Sequence, residues 1–139
     1  MRLDPGFRWA LYAAFGALFL SGAAWLVADE LKAGADGELW QATAAYLLMI
    51  HGSVAMLTLM LLGALVPLHI ARCWRAGKNR VTGTVMVTFN AVLILTSLGL
   101  YYAGSDVLRP WMSRVHIGFG LALPLLIAGH IVLGRRSRS

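Results

Sequence analysis

The sequence predicts an all-α, integral membrane four-helix bundle, and three observations carry that expectation. The 139 residues are 59% hydrophobic and only 13% charged, with a mean hydropathy of +0.71, a balance that suits lipid as solvent better than water. Four apolar stretches, roughly 8–28, 40–71, 81–103 and 111–134, approach or exceed the ~20 residues that a spanning helix needs. The polar segments between them are short and carry most of the charge. One four-helix domain, residues 1–139, then accounts for the chain and leaves no room for a soluble catalytic domain.

The first span follows a segment with Arg2, Asp4 and Arg8. A signal peptide is the competing reading, but the apolar run is longer than a usual signal core and no small-x-small cleavage site follows it, so it is kept as a helix. The first connection is acidic, with Asp29, Glu30, Asp36 and Glu38 against Lys32. The second span runs long, into a basic cluster of Arg72, Arg75, Lys78 and Arg80. The third ends at Tyr101-Tyr102, side chains suited to a lipid–water boundary. Gly104-Ser105-Asp106 then leads to Arg109-Pro110, where proline fits the first turn of the last helix. The tail holds Arg135, Arg136 and Arg138. Prolines fall inside two spans, Pro67 and Pro124, where each frees a carbonyl and can bend its helix.

Charge sets orientation. The net charge of +6 invites a nucleic-acid reading, yet the basic residues flank spans and positive-inside topology explains them better. Nine of the twelve Lys and Arg residues lie at the N-terminus, the second connection and the tail; three lie in the other two connections. Both termini are therefore expected in the cytoplasm. The single cysteine, Cys73, excludes an internal disulfide and a thiolate cluster.

All four histidines lie in the second and fourth spans, which run in the same direction. His51 and His69 are eighteen residues apart, five full α-turns, so they share one face. His116 and His130 are fourteen apart, about 40° round the helix and about 21 Å along it. One intramembrane histidine is ordinarily a polar side chain joining two helices. Four, paired by face and depth, point to function, and neutral imidazole is a ligand for haem iron. His51 with His116, and His69 with His130, are the pairs expected by depth. The small residues Ala55 and Gly120, one turn beyond His51 and His116, leave room for a flat ring. The helix 2 separation is about 27 Å against about 21 Å on helix 4, so the levels match only if helix 2 tilts or bends at Pro67. Between the levels, Thr58, Leu62, Leu65, Leu123 and Ile127 form stripes that are bundle core by default and a cofactor wall only if the histidines are ligands.

Tyr101-Tyr102-Ala103-Gly104, Arg109, His116-Ile117-Gly118 and Leu123-Pro124-Leu125-Leu126-Ile127-Ala128-Gly129-His130 resemble the di-haem b-type cytochromes of bacterial membranes, the cytochrome b subunit kind. They are most similar to a small uncharacterised family often encoded near flavin-carrying electron-transfer proteins. The resemblance covers roughly residues 45–136. It implies two bis-histidine haem b groups and electron passage across the bacterial cytoplasmic membrane, from a quinol or flavoprotein to a partner on the other side or within a larger complex. Haem propionates favour cations, for which Arg109 and Arg114 are candidates near one level and Arg72 and Arg75 near the other; their use as topology charges is equally available. With no Cys-x-x-Cys-His in the chain, attachment of c-type haem through that motif is excluded. Asn90, with Thr88 nearby, offers a donor to a quinone carbonyl, although interhelical bonding is the commoner use. Two other functions compete: a histidine-based transition-metal carrier, which lacks intramembrane carboxylates and has its imidazoles too far apart along each helix to share one ion, and a cofactor-free membrane anchor.

Overall fold

In the computed structural model the chain is all-α, with four long helices and no strand among the described residues, 3–77 and 79–136, the last two by backbone alone. Arg2, Lys78 and Arg138, which enter the topology count, lie outside the described residues, as do the side chains of Arg135 and Arg136.

Helix α1 (Pro5–Leu31) starts where Asp4 accepts a hydrogen bond from the Phe7 amide at 3.1 Å, with Pro5 in the first turn. Both features serve a helix start: the carboxylate satisfies an orphan N–H, and proline has no N–H to satisfy. The last turn carries an Asp29–Lys32 ion pair. The connection to α2 (Gly37–Leu65) is tight. A Cβ on Gly37 would lie 2.6 Å from the Lys32 carbonyl oxygen, so only glycine fits there without a backbone shift.

At Pro67 the helix changes form. Val66–Ile70 is a π-helical turn, after which α3 (Ala71–Arg75) resumes the α form. Proline cannot donate to the carbonyl four residues back, and its ring crowds that carbonyl; the widened turn relieves the crowding by holding one more residue. The stretch Gly37–Arg75 still reads as one membrane-length element. Gly77 and Asn79 are both left-handed, at φ 67° and 51°. Helix α4 (Arg80–Tyr102) ends where Ala103 turns extended. Ser105 Oγ accepts from the Leu108 amide at 3.2 Å and opens α5 (Leu108–Arg136). Pro124 sits inside α5 without interrupting it.

The helices form two compact units, Met1–Ala71 and Arg72–Ser139. In the first, α1 packs on α2; in the second, α4 packs on α5. The seams are narrow. Among the described residues only Leu11, Ala28, Ala44 and Leu123 are buried hydrophobics, while Met60 and Leu125 are 74% and 78% exposed. An apolar exterior of this kind suits a membrane protein, whose surroundings are apolar as well. All four helices are long and apolar enough to cross a bilayer, and the chain is a multi-pass membrane protein. Several hydroxyls on these helices bond back to their own carbonyls, as Thr58 Oγ1 does to the Val54 oxygen at 2.8 Å, which satisfies their donors within the apolar region.

Candidate functional site

In the first unit His51 projects towards α1, at the centre of a heptad run whose other members, Ala44 and Thr58, are buried. Its Nδ1 lies 2.9 Å from Ser21 Oγ. That hydroxyl is also 2.7 Å from the Ala17 carbonyl oxygen and 3.2 Å from that of Leu18. The ring rests against Gly22: a Cβ there would come within 3.2 Å of His51 Cε1 and 3.5 Å of Nδ1. A buried serine and a glycine, adjacent on α1, thus form a seat for one edge of the imidazole.

The second unit repeats the device with different residues. His116 on α5 places Nδ1 2.9 Å from Thr96 Oγ1 on α4. Thr96 Oγ1 in turn donates to the Val92 carbonyl at 2.7 Å, with the Leu93 oxygen at 3.1 Å. The same order of parts recurs: a β-hydroxyl on the first helix of a hairpin, back-bonded to its own turn, and a histidine on the second. Phe89 and Phe119, with ring centroids 4.5 Å apart, and Gly99, on whose α-carbon the Met112 side chain sits, complete the seam.

The remaining histidines are held differently. His130 follows His116 and the buried Leu123 at seven-residue intervals, on one stripe of α5. Its Nδ1 is buried with no hydrogen-bond partner among the described residues, a costly state unless something else completes it. His69 lies within the π turn. The expectation that His51 and His69 share a face assumed α geometry throughout, and the π turn alters it. Each π step advances about 80° rather than about 100°, so His69 slips by roughly 70° relative to an uninterrupted helix. The wider turn also shortens the 27 Å rise by about an ångström or two, towards the α5 spacing.

Of the other expected residues, Ala55 and Gly120 are half-buried, and a Cβ on Gly120 would meet no side chain or neighbouring helix within 4 Å among the described residues. Leu62, Leu65 and Ile127 are half-buried, so the stripes are only partly enclosed. Arg72, Arg75, Arg109 and Arg114 are exposed. The Arg114 guanidinium stacks over Trp111 at 5.3 Å, a cation–π contact one turn back on its own helix. Both groups line an open groove of the second unit with Phe89, Gly118 and Phe119. Asn90 donates to the Met86 carbonyl of its own helix at 2.9 Å.

Ser21 and Thr96 were not among the residues expected from sequence. The available signal was a small polar residue deep in an apolar run on the helix preceding each histidine, and it is weak because most such hydroxyls only bond back to their own turn. No three of the described His, Cys, Asp and Glu residues gather as a metal-ion site. Within each helix pair one imidazole is held at Nδ1 by a hydroxyl, His51 in the first unit and His116 in the second, and in the second unit the Nδ1 of His130 is buried without a hydrogen-bond partner among the described residues. No known protein family, curated protein or solved structure matches this chain.

Proposed function

We propose that this chain is a di-haem b-type cytochrome of the bacterial cytoplasmic membrane, with His51, His69, His116 and His130 as iron ligands. The observation that carries the reading is the repeated seating of His51 and His116 by hydroxyls. An imidazole that ligates a metal is ordinarily held at its other nitrogen, which fixes the ring and its tautomer. Haem, when bound, supplies a one-electron ferric–ferrous couple tuned by its axial ligands and surroundings. The protein's part is to orient the rings through Ser21 and Thr96, to keep the region dry with apolar side chains, and to leave space beside Ala55 and Gly120. The exposed Arg72, Arg75, Arg109 and Arg114 are available to carboxylates at the helix ends. Electrons would pass between a quinol or flavoprotein and a partner across the membrane or in a larger complex, and a quinone is a further ligand to seek. A reduced-minus-oxidised visible spectrum of the purified protein tests this: haem b gives sharp bands, and a flat difference spectrum contradicts the proposal.

A second reading has a specific observation in its favour. The Ser21–His51 and Thr96–His116 bonds each join two helices, as a cofactor-free anchor would use them. That reading leaves the orphaned His130 Nδ1 without a purpose. The metal-carrier alternative has no comparable support. For orientation, the distribution of Lys and Arg favours cytoplasmic termini. In a Cys73-free background, a cysteine at Gly34 should react with an impermeant thiol reagent outside intact cells and one at Ser137 should not.

A further inference from the structure

The geometry points to Ser21 and Thr96 as positioning residues that place the imidazole proton of His51 and His116 on Nδ1 and so present Nε2 as the ligating nitrogen. This rests on the haem reading for its purpose but not for its physics. Each hydroxyl has one proton and three polar atoms in reach. For Ser21 these are the Ala17 oxygen at 2.7 Å, the Leu18 oxygen at 3.2 Å and His51 Nδ1 at 2.9 Å. Two oxygens 2.7 Å apart with no proton between them repel, so the Ser21 proton belongs to the Ala17 carbonyl. The hydroxyl oxygen then faces Nδ1 with a lone pair, and a 2.9 Å contact is favourable only if Nδ1 carries the proton. Thr96 repeats each step, with the Val92 oxygen at 2.7 Å, the Leu93 oxygen at 3.1 Å and His116 Nδ1 at 2.9 Å. Since a neutral imidazole has a single N–H, Nε2 holds the lone pair in both rings. Gly22 reinforces the arrangement in the first unit, because any side chain there would press on the Nδ1–Cε1 edge. Two unlike hydroxyl residues reaching the same chemical result in separate helix pairs is what makes the tautomer, rather than mere helix contact, the shared property.

The test uses the full-length chain purified from membranes, labelled with ¹⁵N-histidine and kept reduced, so that any bis-histidine iron present is low-spin and diamagnetic. Nuclear magnetic resonance then reads whether Nδ1 is protonated and how fast that proton exchanges. In the wild type, His51 and His116 should both show a protected Nδ1 proton. Ser21→Ala should speed exchange at His51 about five- to tenfold, the scale of one lost hydrogen bond, and leave His116 unchanged; Thr96→Val should do the reverse. Ser21→Thr should keep the protection at His51, which a variant that merely fits the seam would not. An unprotonated Nδ1 in the wild type, or exchange unmoved by both Ser21→Ala and Thr96→Val, overturns the assignment. If Ser21→Ala fails to fold, Thr96→Val and Ser21→Thr decide alone. A chain without haem that shows both protected protons upholds the positioning role and removes the haem reading; a haem-loaded chain whose variants exchange unchanged does the opposite.

Discussion

The α1–α2 and α4–α5 hairpins carry the same histidine–hydroxyl bond, at 2.9 Å in each, yet they handle an internal proline in opposite ways. Pro124 lies within continuous α-helix, whereas Pro67 opens a π turn that contains His69. The consequence is angular. On α5 the heptad His116, Leu123, His130 stays in phase, so the two histidines keep the relation that α geometry gives them. On α2 the phase holds from Ala44 through His51 to Thr58 and slips before His69. Nothing in the structure explains why Pro124 is accommodated without a π turn. What the contrast teaches is that a histidine spacing reports a shared face only as far as the helix between stays α.

The sharpest way to break this contrast is to remove the prolines one at a time. Pro67→Ala should let Val66–Ile70 close to an α turn and turn His69 by roughly 70°, stabilising the segment by about 1–3 kcal/mol. Pro124→Ala should stabilise α5 with no change of register. Nitroxide accessibility scanned over residues 66–75 and 124–133 reads both, and an unchanged periodicity beyond Pro67 in the alanine variant would contradict the account.

The helix class, the four spans and the histidine-bearing elements were legible in the sequence because each depends on a local property: apolar run length, charge at the ends, and type of residue. Helix starts were less so. The last helix begins at Leu108, with Pro110 in its first turn as expected, but the Ser105 hydroxyl that opens it from three residues upstream was not expected. The seating of His51 by Ser21 spans thirty residues and that of His116 by Thr96 spans twenty. Such pairs depend on the register of two antiparallel helices, which short loops constrain but do not reveal. The Gly22 seat was invisible for the same reason.

The glycines separate the hairpins further, with smaller effects. Gly99→Ala in the second unit places a Cβ on the Met112 thioether; the flexible side chain must move away, at about 1 kcal/mol. Gly22→Ala in the first meets the His51 ring at 3.2 Å, and a ring fixed by Ser21 can give only a few tenths of an ångström. Its stability cost should be similar, about 1 kcal/mol, while its effect on His51 is specific. Unfolding of each variant in mixed micelles measures the first quantity, and the exchange of the His51 Nδ1 proton measures the second. A Gly22→Ala chain with that proton undisturbed would show that the seat is loose.

The central claim is that the four histidines hold two haems, and the measurement that meets it most directly is haem per chain by pyridine haemochromogen assay under conditions that retain bound haem. The wild type should give two per chain. His116→Ala and His130→Ala should each remove one and spare the other. One haem per wild-type chain would contradict the two-site account, and no haem at all would leave the histidines to the joining of helices.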